Sequence, residues 1–536
     1  MAEPAVNIGN PTSVHPSKGR TAGIVGILTV LVAVVGYLRE AVLASRFGVS
    51  ASMDAYFAAI FIPNILYLIL IVGTLSPIFI PLLLRDEAAG EDRAKVSRTF
   101  SVIATFSILV MVVTVLVAVA TARWWLHLLF PGFAPATFAM ALRLVYVIFP
   151  ALPFLAVAGI LTAVLNGFHR FWLAALAPAI SSMSVIAAAL FVRGDSAIYA
   201  IGGATAIGFL LQALILAPAI ASLHIRYRPV LDLRHPAIRK LLKLGVPLFL
   251  FLAVGNASDV LERILASGIS TGTVAILTYA FRLFAVPANF LAAPLATVAY
   301  PGFAREAARD SRGELGNQIS RIFRLVIFLF LPATIWVSLN ALPLTRLLYE
   351  RGQFHFADSV VTARVLAIYS LAILPNAIVM ILLRCFLAIE DTVTPLMAEL
   401  VRLGTFAVTA VWFTRHFGIQ GLASARTLSF FVTTAILILV LAGRKALLKF
   451  HAGLLGFLAR TSLATIGMTA VSWTGLHFFR APFDSGNTVV RLGIVCVLLA
   501  ASAGAYLALA RLMRLKEADH LWATVLSLIP GNWDRT

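Results

Sequence analysis

"GTVAILTYAFRLFAVPANFLAAPLATVAYPGF", residues 272–303, is long and apolar enough to sit in hydrocarbon, yet it carries a full positive charge, Arg282, near its middle. A guanidinium at the centre of a bilayer costs about 3 kcal/mol on insertion scales, so it has to face a polar interior. The rest of the chain has the same character. Of its residues 61% are hydrophobic and 12% charged, whereas a soluble domain has roughly half and a quarter. This composition defines an all-α polytopic membrane protein. A net charge of +19 would point to nucleic acid in a soluble chain, but here it is weighed first against the Lys/Arg excess of cytoplasmic loops. Cys385 and Cys496 each lie alone in an apolar segment, which gives no basis for a disulfide framework or a zinc site.

Apolar runs of the length that crosses about 30 Å as an α-helix fall near 22–45, 54–84, 99–121, 137–166, 171–192, 199–223, 244–268, 273–303, 322–346, 358–388, 395–414, 418–443, 455–478 and 490–512. The expectation is about fourteen helices with no extramembrane segment long enough for a soluble domain. Residues 1–20 are polar and scattered with Pro and Gly, and are expected to be a disordered cytoplasmic tail. No small-residue cleavage site follows, so the first helix is expected to be retained. The basic stretches 85–98, 224–243, 304–321 and 444–460 all fall on one side of these spans. With both tails that side holds roughly 25 Lys and Arg against about 9 on the other, which places both termini in the cytoplasm. Topology thereby accounts for most of the positive charge, and no nucleic-acid partner is needed.

Two spans are interrupted. The second contains Pro63, Gly73, Pro77 and Pro81, and the eighth contains Pro287, Pro294 and Pro301. Proline frees carbonyls, and a membrane tolerates this where neighbouring helices or a water-filled cavity satisfy them. Ordinary kinked packing is one reading. The other rests on position: the two spans hold corresponding places in two blocks of about six helices, as in transporters built from repeats around a central cavity. The charges inside the spans sharpen the question. Arg39 and Asp54 flank the first outside loop, Arg143 sits in the fourth span, Glu262 and Arg263 in the seventh, and Arg364, Arg384, Glu399, Arg402 and Arg426 in the second block. Glu399 and Arg402, at i and i+3, share a helix face and are expected to neutralise each other. Arg263 is expected to pair or to snorkel. Arg282 has no acid within a helical turn. Its partner is either a carboxylate from another helix, with Asp54 and Glu262 the candidates, or an anionic ligand, whose phosphate oxygens a guanidinium fork matches in bidentate fashion.

In "YLREAVLASRFGVSASMDAYFAAIFIPN" (37–64), "LNGFHRF" (165–171), "ILTYAFRLFAVP" (276–287), "LLYERGQF" (347–354) and "RCFLAIEDTVTP" (384–395) the chain resembles the MviN/MurJ family of lipid flippases, in order and over nearly its whole length. The resemblance implies a bacterial inner-membrane protein of the multidrug/oligosaccharidyl-lipid/polysaccharide exporter superfamily. It implies two pseudo-symmetric six-helix lobes around a cationic cleft, and two C-terminal helices forming a groove for a polyprenyl tail. On this sequence the lobes are 21–223 and 244–443, joined by the basic linker 224–243, with the added helices in 444–512 and a cytoplasmic tail at 513–536. The cargo implied is lipid II, the undecaprenyl-pyrophosphate-linked peptidoglycan precursor, moved by alternating access. Arg39, Asp54 and Arg282 match family cleft positions and are the expected substrate-binding residues, with Arg143, Glu262, Arg263, Glu399 and Arg402 as further cavity charges. The chain departs from the family at Ala33, Tyr67 and Leu68, where arginines are usual, and at Val72, where an acid is usual.

Elementary chemistry leads to the same class of cargo. A lipid-linked glycan has a pyrophosphate and sugars that cannot cross hydrocarbon, and a tail that need never leave it. A cationic cavity open to the bilayer is enough, and no bond is broken. No P-loop, nucleophile elbow or metal-ligand spacing occurs, and so neither an enzyme nor a metal cofactor is expected. His355 and His477, near helix ends, read as solvated. A coupling cation or the membrane potential, worth about 2.3 kcal/mol per charge per 100 mV, would supply the energy. Membrane lipids are necessary partners, and cell-envelope synthesis proteins fit the implied role. Three other readings remain: a flippase for an exopolysaccharide or other surface-glycan repeat unit, favoured by the four departures; a cation-coupled drug exporter, disfavoured by Arg39 and Arg282; and a scaffold that has lost transport. A glycan polymerase or ligase would need a long outside loop.

Overall fold

The computed structural model describes residues 16–67, 93–168, 170–194, 196–223, 225–309, 312–443, 447, 453–485 and 487–519. Every regular element among them is helical, as hydrocarbon requires of a chain that must satisfy its own backbone. The helices are α1 (Pro16–Phe47), α2 (Ala51–Leu66), α3 (Arg93–Ala120), α4 (Ala122–Leu129), α5 (Pro135–Ile148), α6 (Leu152–Gly167), α7 (Phe171–Phe191), α8 (Ala197–Ala221), α9 (Pro236–Ser267) and α10 (Thr273–Pro287). They continue as α11 (Ala293–Ala308), α12 (Arg312–Leu339), α13 (Ala341–Tyr349), α14 (Phe356–Ser370), α15 (Ile373–Ala388), α16 (Val393–Ala442), α17 (Gly453–Phe478), α18 (Arg480–Ser485) and α19 (Thr488–Leu512).

Ten helical stretches among the described residues are long and apolar enough to cross a membrane, and α14 with α15, bent by 42°, makes an eleventh. One of the ten is two spans. The 50 residues of α16 would reach about 75 Å if straight, more than twice the hydrocarbon thickness. At Gly418 the backbone takes φ 56° and ψ −134°, a conformation open essentially to glycine alone. The helix is broken by a kink there, at the boundary expected between spans 395–414 and 418–443. Counting both halves of α16 and the long α9, thirteen of the fourteen expected spans have their helix among the described residues, and α2 is the described part of the second, whose residues 68–84 lie outside them.

Of the two spans expected to be interrupted, the eighth passes from α10 through a π-helical turn at Ala288–Ala292 into α11. The fourth, where no break was expected, contains a short 3-10 turn at Phe149–Ala151. Residues Gly73, Pro77, Pro81, Leu68 and Val72 lie outside the described residues, as do 1–15 and 520–536. Residues 16–20 of the expected tail of 1–20 are helical, within α1. Likewise α9 begins at Pro236, so the second half of the expected linker 224–243 is helix.

The chain divides into two compact units, one taking 1–43, 59–122 and 142–250 and the other 44–58, 123–141 and 251–536. In the first, α7 packs against α8 and α8 against α6. Ser184 Oγ donates to the Ala204 carbonyl at 2.8 Å, the kind of small-residue contact that joins helices where lipid supplies no hydrophobic drive. Here too the first half of the linker lies extended along α3. Ser97, Ser101 and Thr105 accept from the amides of Arg226, Arg228 and Val230 at 3.2, 3.0 and 3.4 Å. The match is metric, since four helical residues rise about 6 Å and two extended residues about 6.7 Å. In the second unit the C-terminal pair is joined to α12 and to the residue that follows it: the Tyr506 hydroxyl donates to the Phe328 carbonyl at 2.7 Å, and Asn340 Nδ2 to Ser472 Oγ at 2.9 Å.

Candidate functional site

Arg282 stands in α10, between a gripped N-terminal half and the π-helical turn. Gly272, left-handed at φ 87°, begins that helix, and a Cβ on it would lie 2.2 Å from Val49 Cγ1. No side chain of the local sequence caps the helix. The cap comes from Asp54, in the first turn of α2, whose carboxylate accepts from the Gly272 amide at 2.5 Å and the Ala275 amide at 2.8 Å. A buried carboxylate at a helix N-terminus meets both the free amides and the positive end of the dipole. The same segment, 44–58, belongs to the second compact unit and is tied again where the Gln353 amide donates to the Ser45 carbonyl at 2.8 Å. Phe57, Tyr279, Tyr349 and Phe354 pack around this clasp, with ring centroids 4.8 to 5.7 Å apart.

The flank of α10 is held by charge. Arg263 Nη1 donates to the Val274 carbonyl at 3.1 Å and to Thr278 Oγ1 at 2.7 Å. Arg426 Nη1 donates to Glu262 Oε2 at 2.5 Å and its Nη2 to Asp259, while the Tyr369 hydroxyl donates to the other oxygen of Glu262. The Arg426 guanidinium lies over the Phe281 ring, 4.9 Å from its centroid. Further along, Arg402 Nη2 is 2.5 Å from Glu399 Oε2, as their spacing suggests, and also donates to the Gly255 carbonyl at 2.9 Å.

The two acids considered as ion-pair partners for Arg282 are therefore both taken up by other groups, Asp54 by amides and Glu262 by Arg426 and Tyr369. Arg39, in the first unit, pairs with the buried Glu40 at 2.7 Å, and Arg143 is exposed on α5. The reading of the sequence missed Glu40, Asp259 and Tyr369, and had Arg426 only as a charge inside a span. The available signal was Asp259, Glu262 and Arg263 at i, i+3 and i+4 within one apolar run, more charge than lipid tolerates.

A second charged knot was not anticipated at all. Arg346 of α13 bonds Glu350 at 2.8 Å and also Asp484 of α18, with the Phe356 and Phe483 rings 5.1 and 5.2 Å away. Arg491 of α19 reaches Glu350 at 3.1 Å. Together these fasten the connector of the C-terminal pair to the loop that carries Gln353. Beside the knot an apolar cavity of about 310 Å³ is lined by Leu342, Phe356, Leu476, Phe479, Ile494 and Leu498 among others.

Apolar spans interrupted at proline, with arginines and acids held inside them, define a polytopic membrane protein. The same architecture is found in a multidrug resistance MATE family transporter of the MOP superfamily in its inward-facing conformation, with a TM-score of 0.63 at 16% identity, over 79% of this chain and 98% of that one. It matches more fully the structure of the lipid II flippase MurJ in an inward closed conformation, with a TM-score of 0.76 at 22% identity, over 91% of this chain and 98% of that one. The sequence profile described as "Lipid II flippase MurJ" matches residues 43–493. The chain belongs to the lipid II flippase MurJ family. Among its relatives, the probable lipid II flippase MurJ of Rhizobium meliloti (strain 1021) is 28% identical, over 89% of this chain and 90% of that protein. The lipid II flippase MurJ of Burkholderia cenocepacia is 28% identical over 71% of this chain and 75% of its own.

Proposed function

We propose that this protein moves lipid II across the inner membrane for peptidoglycan synthesis, from the cytoplasmic to the outer leaflet, by alternating access. The observation that carries this reading is the family match, which runs from residue 43 to 493 and so takes in most of both expected lobes, α17 and the first turn of α19. Arg282 is the residue assigned to the pyrophosphate, with Arg39 as its counterpart, because a guanidinium fork stays charged and matches phosphate oxygens. The clasp of Asp54 on α10 is the natural outer gate, since it joins the outside corner between α1 and α2 to the start of the helix that carries Arg282. Both termini lie in the cytoplasm, as the basic loops require.

The experiment is lipid II translocation by purified protein in liposomes, read beside the amount of protein in the membrane. Arg282→Ala should abolish translocation at near-normal protein levels. Arg282→Lys should be partly active, because a point charge replaces a fork. A scarce or unstable Arg282→Ala protein, restored when an acid is removed with it, would make Arg282 a structural ion-pair member and sink the assignment. Ala33 and Tyr67, where arginines are usual in the family, favour a second cargo, a lipid-linked repeat unit of a surface glycan. Failure to sustain growth of cells depleted of their own lipid II flippase, with translocation of such a repeat unit in liposomes, would favour that cargo.

A further inference from the structure

Three helices reach α10 with charge or hydroxyl groups on the side that bears Phe281. From α9, Arg263 holds the Val274 carbonyl and the Thr278 hydroxyl. From α16, Arg426 lays its guanidinium on Phe281, and from α14 the Tyr369 ring meets Phe281 edge-on at 6.4 Å. Arg426 has no freedom to follow α10, because Glu262 and Asp259 of α9 hold both of its terminal nitrogens, and Tyr369 holds Glu262 in turn. The next residue after Phe281 is Arg282, and Pro287 with the π-helical turn follows a turn and a half later.

We infer that Arg426 is a positioning residue for Arg282: with Arg263 it fixes the rotation of α10 about its own axis, and so fixes where the Arg282 guanidinium stands. The inference rests on the assignment of Arg282 to the pyrophosphate. Two carboxylates and two guanidiniums make a neutral set, and apolar side chains of similar size would fill the same space at least as favourably. Stability therefore does not call for the charges, which are kept in a membrane interior at a cost. Directional bonds supply what apolar packing lacks, a preferred angle. An arginine tip about 8 Å from the helix axis moves about 3 Å for a 20° rotation, and a displacement of about 1 Å in a bound group is enough to cost about a hundredfold in rate. The π-helical turn is where a rotation of α10 can be absorbed without moving α11, which accords with the frequent place of such turns at functional sites.

The test uses the full-length protein lacking Cys385 and Cys496, with single cysteines introduced as Leu283→Cys, Ala285→Cys or Val286→Cys to report which side of α10 faces water. The network is kept neutral while Arg426 is removed by Arg426→Met with Glu262→Gln, which leaves Arg263 balanced by Asp259, and it is separately weakened by Arg426→Lys, which keeps the charge and loses one arm. Undecaprenyl pyrophosphate is the binding probe. The neutral variant should accumulate normally, change the order in which the three cysteines react with a water-soluble thiol reagent, and bind the probe about tenfold to a hundredfold more weakly. Adding Arg282→Ala should weaken it no further, as expected of two residues acting through one contact. Arg426→Lys should give a smaller shift in the same direction. An unchanged cysteine order with unchanged affinity in the neutral variant overturns the inference. So does a neutral variant that fails to accumulate while Arg426→Lys accumulates with wild-type order and affinity, which would make the network a folding element. The assignment of Arg282 fails separately, by wild-type affinity in Arg282→Ala alone, a result the cysteine order does not affect.

Discussion

Asp54 gives both carboxylate oxygens to backbone amides of a helix that begins 218 residues further along the chain. Helix caps are ordinarily sought in the residue just before a helix, and here that residue is Gly272, which has no side chain to offer. The sequence therefore showed Asp54 as an acid near an outside loop, and its partner was not legible. Arg402 is the opposite case: Glu399 lies three residues before it, and the pair is found as the spacing implies. Losing a capping side chain costs about 1 to 2 kcal/mol, equivalent to about tenfold or more in an equilibrium. Asp54→Ala should loosen the clasp by that amount, and Asp54→Asn, which keeps one acceptor and loses the charge facing the helix dipole, by less. A Val49→Cys probe, placed against Gly272, should be alkylated about tenfold faster with Asp54→Ala; equal rates would show that Asp54 does not hold the outer gate shut.

Among the elements, α16 shows what a pattern of apolar residues can and cannot resolve. Its length alone demands a break, and "HFGIQG" at 416–421 supplies the glycines that permit one. Gly421 lies so close that a Cβ there would stand 2.0 Å from the Phe413 carbonyl oxygen, whereas Gly404 has open space. Gly418 has space for a Cβ but stands at φ 56°, so Gly418→Ala should cost about 1 to 3 kcal/mol as a strained backbone. Gly404→Ala, in a regular helical stretch, should stabilise by up to about 1 kcal/mol. Thermal unfolding in detergent reads both, and equal shifts would mean that the kink at Gly418 does not hold. The linker beside α3 was legible only in part. Ser97, Ser101 and Thr105 visibly share one face of a helix at four-residue intervals, but nothing local says that they take up the amides of residues 226–230.

For the whole molecule, orientation is the property that composition predicts most directly. Arg228→Cys and Arg309→Cys, both at exposed positions, should be labelled from the cytoplasm, and Gln353→Cys, also exposed, from outside. Labelling of Arg228→Cys and Gln353→Cys from the same side would overturn the helix count. What the sequence by itself determined is the set of spans and the family, but not every end, since α9 and α12 begin well before the spans expected at 244 and 322. Bilayer thickness and a rise of about 1.5 Å per residue act on each segment separately, and so a linear reading suffices. What only the tertiary structure decided is which charges meet. Glu262 and Arg426 are 164 residues apart, and Arg346 and Asp484 are 138. Glu262 and Arg426 are costly charges each in its own span, equally able to face cargo, water or another helix, and Arg346, at the end of its span, meets an acid of the connector α18. Hydrocarbon demands that such a group find a partner but does not specify which, and the packing of whole helices makes that choice.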